Sequence, residues 1–315
     1  METLIDSHGR RISKLRISLL DTCNLRCLYC MPETMSFLPQ ERLLPAEEIL
    51  QITDHLTQFG IKAIRVTGGE PTLRKEFLPI MKGLSDLAID KLGVTSNGVF
   101  LTRYLRQLRD ETKTNSINIS LDSLNRESFH KITKRDCLDK VIDCLVEAQS
   151  LGFETKVNCV LMKGLNDHEI LDFVDFSAKY GIEVRFLELM RIGQACKGAM
   201  NDRFMEADKA ISIILAKHGL QKIPVPHDST SFRFKLSNGA KIGFIASESK
   251  PFCGGCSRWR LTATGDLRAC LMSEKGVSIK GVPAENYSQL LADLLPMKPT
   301  GRIKQLDQDM YQIGG

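Results

Sequence analysis

The chain has no apolar run long enough to cross a bilayer, so a helical membrane protein is excluded. It has no low-complexity tract and no internal repeat of fixed period beyond an alternation of strand and helix, which excludes solenoids and arrays. No glycine run is followed by Lys-Ser or Lys-Thr at the spacing of a nucleotidase phosphate loop. No helix carries the basic stripe of a nucleic-acid reader, and the formal net charge is only +5. That mild excess suits an anionic small substrate as well as it suits a polynucleotide. Met1 to Arg11 is polar and charged, so no secretory leader is expected, and a cytoplasmic protein is.

What the 315 residues do have is cysteine, ten of them. Without a leader these fit a reducing compartment and metal ligation better than disulfides. Six form two triplets: Cys23, Cys27 and Cys30 in a C-x3-C-x2-C run, and Cys253, Cys256 and Cys270 near the other end. A structural zinc site takes four protein ligands, and a cubane iron–sulfur cluster takes four thiolates. Three cysteines on such a cluster leave one iron open to a small molecule. On spacing alone a cluster, a zinc knuckle and unrelated core thiols all remain open. Of the other four, Cys137, Cys144 and Cys159 read as core.

Apolar periodicity gives six strand–helix pairs. The strands are expected at 15–20, 61–67, 91–96, 116–121, 154–161 and 182–189. Helices are expected at 45–59, 77–87, 102–110, 136–150 and 168–179, with a further one at 204–218. This alternation predicts α/β with a parallel sheet. Arg16, Ser18, Arg65, Ser120, Lys156 and Asn158 give the strands a recurring polar face. A doubly wound sheet buries both faces, so a six-stranded, incompletely closed barrel holding ligand in its lumen fits better. A conventional doubly wound domain with polar strand ends is the alternative. Residues 1–220 are expected to form the barrel. Residues 221–315 form a second region with hairpins about Asn238–Gly239 and Gly265–Asp266 and a short helix at 287–295.

Gly68–Gly69–Glu70–Pro71 follows a strand, where barrel active-site loops lie. Its glycines allow close backbone approach, and Glu70 offers a carboxylate to an ammonium group. Arg258 and Arg260 alternate about Trp259, so both point one way and can clamp phosphate or carboxylate. Arg16, Arg65 and Lys156 add charge on the lumen face, unless they are paired with strand-end acids. Unpaired cations inside a barrel are costly unless an anion completes them, which points to a polyanionic small substrate such as a nucleoside triphosphate.

The cysteine run, with Tyr29 before its last member, resembles the radical S-adenosylmethionine (radical SAM) superfamily. Nearly the whole chain is similar to the GTP 3′,8-cyclase family within it. The resemblance runs through Leu15–Arg16–Ile17–Ser18, Cys30–Met31–Pro32, Arg65–Val66–Thr67–Gly68–Gly69–Glu70–Pro71, Thr95–Ser96–Asn97–Gly98 and Asn118–Ile119–Ser120–Leu121–Asp122. It continues in Arg185–Phe186–Leu187–Glu188, the second cysteine set and the Gly314–Gly315 tail. The second set and the tail are the specific features.

The resemblance implies a partial barrel with a C-terminal extension and two [4Fe-4S] clusters. Cys23, Cys27 and Cys30 hold one, and Cys253, Cys256 and Cys270 hold the other. Tyr29, Gly69, Glu70, Ser120 and Met190 would lie near S-adenosylmethionine. Arg16, Arg65, Ser96, Lys156, Arg258 and Arg260 would contact GTP. Arg185 would shape the site, and Gly314 and Gly315 would reach into it. The implied reaction begins with reductive cleavage of S-adenosylmethionine. The 5′-deoxyadenosyl radical then takes the ribose 3′ hydrogen of GTP, giving 3′,8-cyclo-7,8-dihydro-GTP in the first step of molybdenum cofactor biosynthesis. The product would pass to cyclic pyranopterin monophosphate synthase, with electrons from a flavodoxin- or ferredoxin-type donor and a homodimer as a possible assembly. Thr22, Ser257 and Trp259 depart from the family pattern beside the two sets. The rivals are a peptide-modifying twin-cluster radical SAM enzyme and a zinc-stabilised nucleic-acid-binding scaffold. Two sets of three ligands argue against the second, because each would leave a structural zinc one ligand short.

Overall fold

The computed structural model describes residues 3–314. Its strands are β1 (Lys14–Ser18), β2 (Ala63–Thr67), β3 (Lys91–Ser96), β4 (Thr114–Ser120), β5 (Glu154–Leu161), β6 (Glu183–Glu188), β7 (Leu220–Ile223), β8 (Phe232–Leu236), β9 (Lys241–Ile245), β10 (Arg258–Leu261), β11 (Asp266–Arg268) and β12 (Gly276–Ser278). Among the described residues these form one sheet in the order β12-β11-β10-β1-β2-β3-β4-β5-β6-β9-β8-β7. The six expected strands are all present and pair in parallel in chain order.

The sheet is wider than six strands. β10 joins β1 in parallel at one side and β9 joins β6 in parallel at the other. Antiparallel β11 and β12, and β8 and β7, continue beyond them. Strands from beyond residue 220 thus flank the βα repeats on both sides. Pairing between β1 and β10 links residues more than two hundred positions apart, which no local pattern can announce.

The helices form where apolar residues recur at helical spacing. In Ala46–Gln58, Pro45 precedes the first turn, Glu47 and Glu48 stand at its positive end, and Ile49, Ile52 and Leu56 are buried. In Leu138–Ser150 the buried stripe is Leu138, Val141, Cys144, Leu145 and Ala148. Cys144 and Cys159 are fully buried core thiols, whereas Cys137 is half-buried at a helix N-cap. The helix Arg126–Thr133 was not expected. It carries only Phe129 and Ile132 as apolar anchors, and Asn125 caps it by accepting from the N–H groups of Glu127 and Ser128. The hairpin expected about Gly265–Asp266 turns one step earlier, since Asp266 already lies in β11 and Thr262 accepts from its N–H. No helix among the described residues is long and apolar enough to cross a membrane.

Trp259 settles the orientation of β10. It is the largest fully buried side chain and packs into the main core. Because side chains alternate along a strand, Arg258 and Arg260 face the other way, into the cavity.

Candidate functional site

A cavity of about 300 Å³ opens at the C-terminal ends of the parallel strands, and both cysteine sets line it. Cys23, Cys27 and Cys30 come from the loop after β1. That loop is folded by hydrogen bonds from Cys30 N–H to Cys27 O (2.9 Å), and from the N–H groups of Arg26 and Leu28 to Thr133 O and Ile132 O (2.9 and 3.1 Å). Burial, with Glu70 nearby, pushes the Cys23 thiol up to about 11. Burial and Asp122 push Cys27 well up, and burial raises Cys30 also.

The second set lies in a different field. Cys253 opens a short 3-10 turn that Cys256 closes, and Cys270 follows β11. Burial pushes the Cys256 thiol up, but Arg258 and Lys298 outweigh it and bring it down to about 6. Arg258 Nη2 donates to Cys256 Sγ at 3.5 Å. Among the described residues no three His, Cys, Asp or Glu side chains converge closely enough to hold a single metal ion. In a cubane each thiolate binds its own iron, so ligand sulfurs stand further apart than around one ion.

The remaining expected residues divide. Tyr29, Gly69, Ser96, Ser120 and Met190 line the cavity, as do Arg16, Arg185, Arg258 and Arg260. Tyr29 donates its hydroxyl to Asp122 Oδ2 at 2.9 Å. Burial raises the Asp122 carboxyl to about 6. Gly69 is required by packing, because a Cβ there would run into the carbonyl oxygens of Asp21 and Thr22.

Arg65, Lys156, Glu70 and Gly314 are not on the cavity wall. Arg65 lies across the sheet, donating to Val94 O and Ser116 Oγ at 3.1 and 3.0 Å. Lys156 pairs with Glu154 at 2.5 Å, and Arg185 pairs with Glu183 at 2.5 Å. Glu70 is fully buried, and its carboxylate accepts from Thr72 N–H and Oγ1, Ser96 Oγ (2.8 Å) and Asn97 N–H (2.7 Å). It ties the glycine loop to the end of β3.

Arg16 differs from these paired cations. Burial, with the charges of Arg260, Arg258 and Arg65, pushes it well below an arginine's usual range. Burial and Arg258 likewise bring Arg260 down to about 10. Register explains the crowding, because β10, β1 and β2 place Arg260, Arg16 and Arg65 side by side. An arginine stays charged at neutral pH, so an anion is what relieves such a row. Asn118 Oδ1, Asn158 Oδ1 and Ser247 Oγ are buried without partners, and all three residues line the cavity. Unsatisfied polar atoms on one wall are what a polar ligand would complete.

The C-terminal segment closes one side. Met310–Ile313 is a short helix, and Tyr311 packs edge-on against Phe37 of the first cysteine loop at 5.9 Å. Gly314 has a φ of +77°, and a Cβ there would come within 2.5 Å of Ser18. Its carbonyl accepts from Arg260 Nη1 at 2.6 Å. Gly315 lies outside the described residues.

The three departures from the family pattern sit behind the wall. Thr22 gives its carbonyl to Glu70 N–H (2.8 Å), Ser257 donates to Asp228 Oδ2 (2.7 Å), and Trp259 is in the core. Sequence reasoning passed over Asp122, Arg10 and Lys298 as site residues. The spacing Asp6-x3-Arg10 was the available signal for Arg10; a lone lysine in a proline-containing loop offered none.

Comparison with known proteins gives a consistent answer. The radical SAM superfamily profile matches residues 17–177, and the profile named Molybdenum Cofactor Synthesis C matches residues 182–301. The GTP 3′,8-cyclase of Synechocystis sp. is 44% identical over 100% of this chain and 95% of its own length. That of Aquifex aeolicus is 39% identical over 90% of each. A crystal structure of Streptococcus suis SuiB bound to S-adenosylmethionine has a TM-score of 0.65 at 13% identity, covering 91% of this chain and 69% of that one. That last likeness is one of fold.

Proposed function

The chain belongs to the GTP 3′,8-cyclase family of radical SAM proteins, and from that membership we infer that it performs the family's reaction, converting GTP to 3′,8-cyclo-7,8-dihydro-GTP. It is an enzyme of molybdenum cofactor biosynthesis. The observation that carries the reading is that two three-cysteine sets and the crowded arginines Arg16, Arg258 and Arg260 open onto one cavity.

Cys23, Cys27 and Cys30 would hold one [4Fe-4S] cluster, and Cys253, Cys256 and Cys270 a second. Three ligands each, the unpartnered amide and hydroxyl oxygens and the crowded arginines fit these groups and an anionic nucleotide. When bound, the first cluster and S-adenosylmethionine supply the carbon radical that removes the ribose 3′ hydrogen. The chain's own part is orientation, charge and exclusion of water. Gly69 lets the loop backbone approach the methionine portion. Glu70 acts by fixing that loop, since its carboxylate is already fully engaged. Arg16, Arg258 and Arg260 take the anionic substrate. Lys156 adds positive charge while it stays paired with Glu154, and Arg185, paired with Glu183, shapes the site. Gly314 steers Arg260 through its carbonyl. Residues 1–220 act as the barrel and 221–315 as the second-cluster and substrate region. A flavodoxin- or ferredoxin-type donor supplies electrons, and the product passes to the next enzyme of the pathway.

The test is anaerobic reconstitution with iron and sulfide, followed by S-adenosylmethionine, dithionite and GTP. GTP-dependent 5′-deoxyadenosine with an oxygen-sensitive isomer of GTP mass is expected. Cleavage of S-adenosylmethionine that ignores GTP and yields no new nucleotide would overturn the substrate assignment and leave the radical chemistry.

A further inference from the structure

The second cysteine set raises a problem of positioning. Cys253 and Cys256 share one 3-10 turn before β10, whereas Cys270 follows β11, the antiparallel neighbour of β10. Two cations behind the cysteines tie the ends of these segments together. Arg10 is 6% exposed, and its Nη1 donates to Cys253 O at 2.9 Å and to Pro299 O at 2.7 Å. Its Nη2 donates to Lys298 O at 3.0 Å. Lys298 is 4% exposed, and its Nζ donates to Arg258 O at 2.7 Å and Ala269 O at 3.0 Å. Arg258 follows Cys256 by two residues, and Ala269 precedes Cys270. One ammonium therefore bridges the start of β10 and the end of β11, next to those two cysteines, and the guanidinium behind it holds the third.

The two cations differ in charge balance. Arg10 has a carboxylate partner, Asp6 Oδ2, at 2.6 Å. The lysine's protein oxygens are neutral carbonyls, and the negative charges available beside it are the Cys256 and Cys270 thiolates. A buried ammonium is costly unless a negative charge stands beside it. Thiolates ligating a cluster are such a charge, and hydrogen bonds and charge near ligand sulfurs are what orient and tune metal sites.

We propose that Lys298, held in place by Arg10, is the positioning residue of the second cysteine set: it fixes the separation of the Cys256 and Cys270 segments and balances the charge of their ligated thiolates. This rests on the reading that Cys253, Cys256 and Cys270 hold a cluster.

The experiment compares the full chain with Lys298→Met and with the double variant Cys253→Ser/Cys256→Ser, all reconstituted anaerobically. Iron and sulfide per chain after a chelator challenge, and the low-temperature electron paramagnetic resonance of the reduced protein, are the readouts. Lys298→Met is expected to lose iron from one cluster at least about tenfold more readily than the unaltered chain. The resonance component it loses should be the one missing from the double cysteine variant. Cleavage of S-adenosylmethionine in the absence of GTP should persist, which shows that the first site and the fold are intact. A Lys298→Met protein with both clusters as durable, and both signals unchanged, overturns the proposal. If the unaltered chain itself carries one cluster and the double cysteine variant matches it, the two-cluster reading fails, and that result is separate and recognisable. Should Lys298→Met not fold, Arg10→Lys takes its place. It keeps the pair with Asp6 and loses the fork to three carbonyls, so weakened retention confined to the second cluster is expected and unchanged retention overturns the proposal.

Discussion

Cys23, Cys27 and Cys30 share one loop with apolar walls and acids nearby, whereas Cys253, Cys256 and Cys270 are spread over a turn and a strand end amid arginine and lysine. The first set has its spacing written into a few consecutive residues, and its thiols are pushed up by burial, Glu70 and Asp122. In the second set Cys253 and Cys256 share a turn but Cys270 is placed by tertiary structure, and Arg258 and Lys298 outweigh burial to bring Cys256 down to about 6. Thiolates must form at both for metal to bind. At the first set the metal itself must supply the positive charge that draws the protons off. At the second the protein supplies part of it, and the same charge faces the cavity. The part of the lining around the first set is thus suited to a reactive, water-poor centre and the part around the second to holding an anion.

The largest test of that division is to break each set in turn. Cys27→Ser should abolish 5′-deoxyadenosine formation as well as GTP conversion. Cys256→Ser should abolish GTP conversion and leave slow, GTP-independent cleavage of S-adenosylmethionine. Both products are measured in the same anaerobic reaction. Cyclisation by Cys256→Ser at the unaltered rate would erase the distinction. Next in size is the contrast between unpaired and paired cations. Arg260→Leu should lower kcat/KM for GTP about 10- to 100-fold, the equivalent of about 1.5–3 kcal/mol for a charged hydrogen bond. Lys156→Met, whose ammonium already has Glu154, should cost less than about tenfold. Equal losses would mean that the pairing seen here dissolves when substrate binds.

The two sets also differ in how legible they were. The first set and its preceding strand could be read from spacing and alternation, because both are local. The six βα repeats were legible for the same reason, and β3 and β5 fall at the expected residues. The pairing of β9 and β10 with the two sides of the repeat sheet was not. It depends on contacts between distant segments, and a strand's alternation does not name its neighbour. Glu70 was read as a ligand group because a carboxylate after two glycines suggests one. Its burial among four donors is set by β3 and could be seen only in the fold. Lys298 was invisible because an isolated lysine in a loop belongs in water by default, and only three converging segments keep this one out of it.

A third prediction bears on what supports the second set. Burial pushes the Asp6 carboxyl up, but the N–H groups of Arg10 and His8 and the Arg10 guanidinium outweigh it and hold it below its usual value. A depressed carboxyl adds stability above its unfolded pKa, and that stability is lost as pH falls through the folded one. Asp6→Asn should therefore lower unfolding stability of the metal-free chain by about 1–3 kcal/mol at pH 7. The gap between variant and parent should close below about pH 4. Urea titrations at the two pH values check this. A gap that persists at low pH would show that Asp6 acts through packing rather than through Arg10.

The smallest expected effect concerns the cation behind the first set. Arg26 donates from Nη1 to Cys23 O at 2.6 Å and Leu25 O at 2.8 Å, and its guanidinium lies 5.2 Å from the Phe37 ring. Phe37 in turn meets Tyr311 of the C-terminal segment. Arg26→Ala removes these contacts but keeps the backbone bonds that shape the loop, including that of its own N–H to Thr133 O. Because the three cysteines are set by that backbone, the first cluster should survive a chelator challenge nearly as well as in the parent. The loss should be about 1 kcal/mol of stability, the size of a half-exposed cation–π contact with its hydrogen bonds. If Arg26→Ala shed the first cluster as readily as Lys298→Met sheds the second, chain connectivity would not be what separates the two sets. The distinction would then have to rest on the surrounding charge alone.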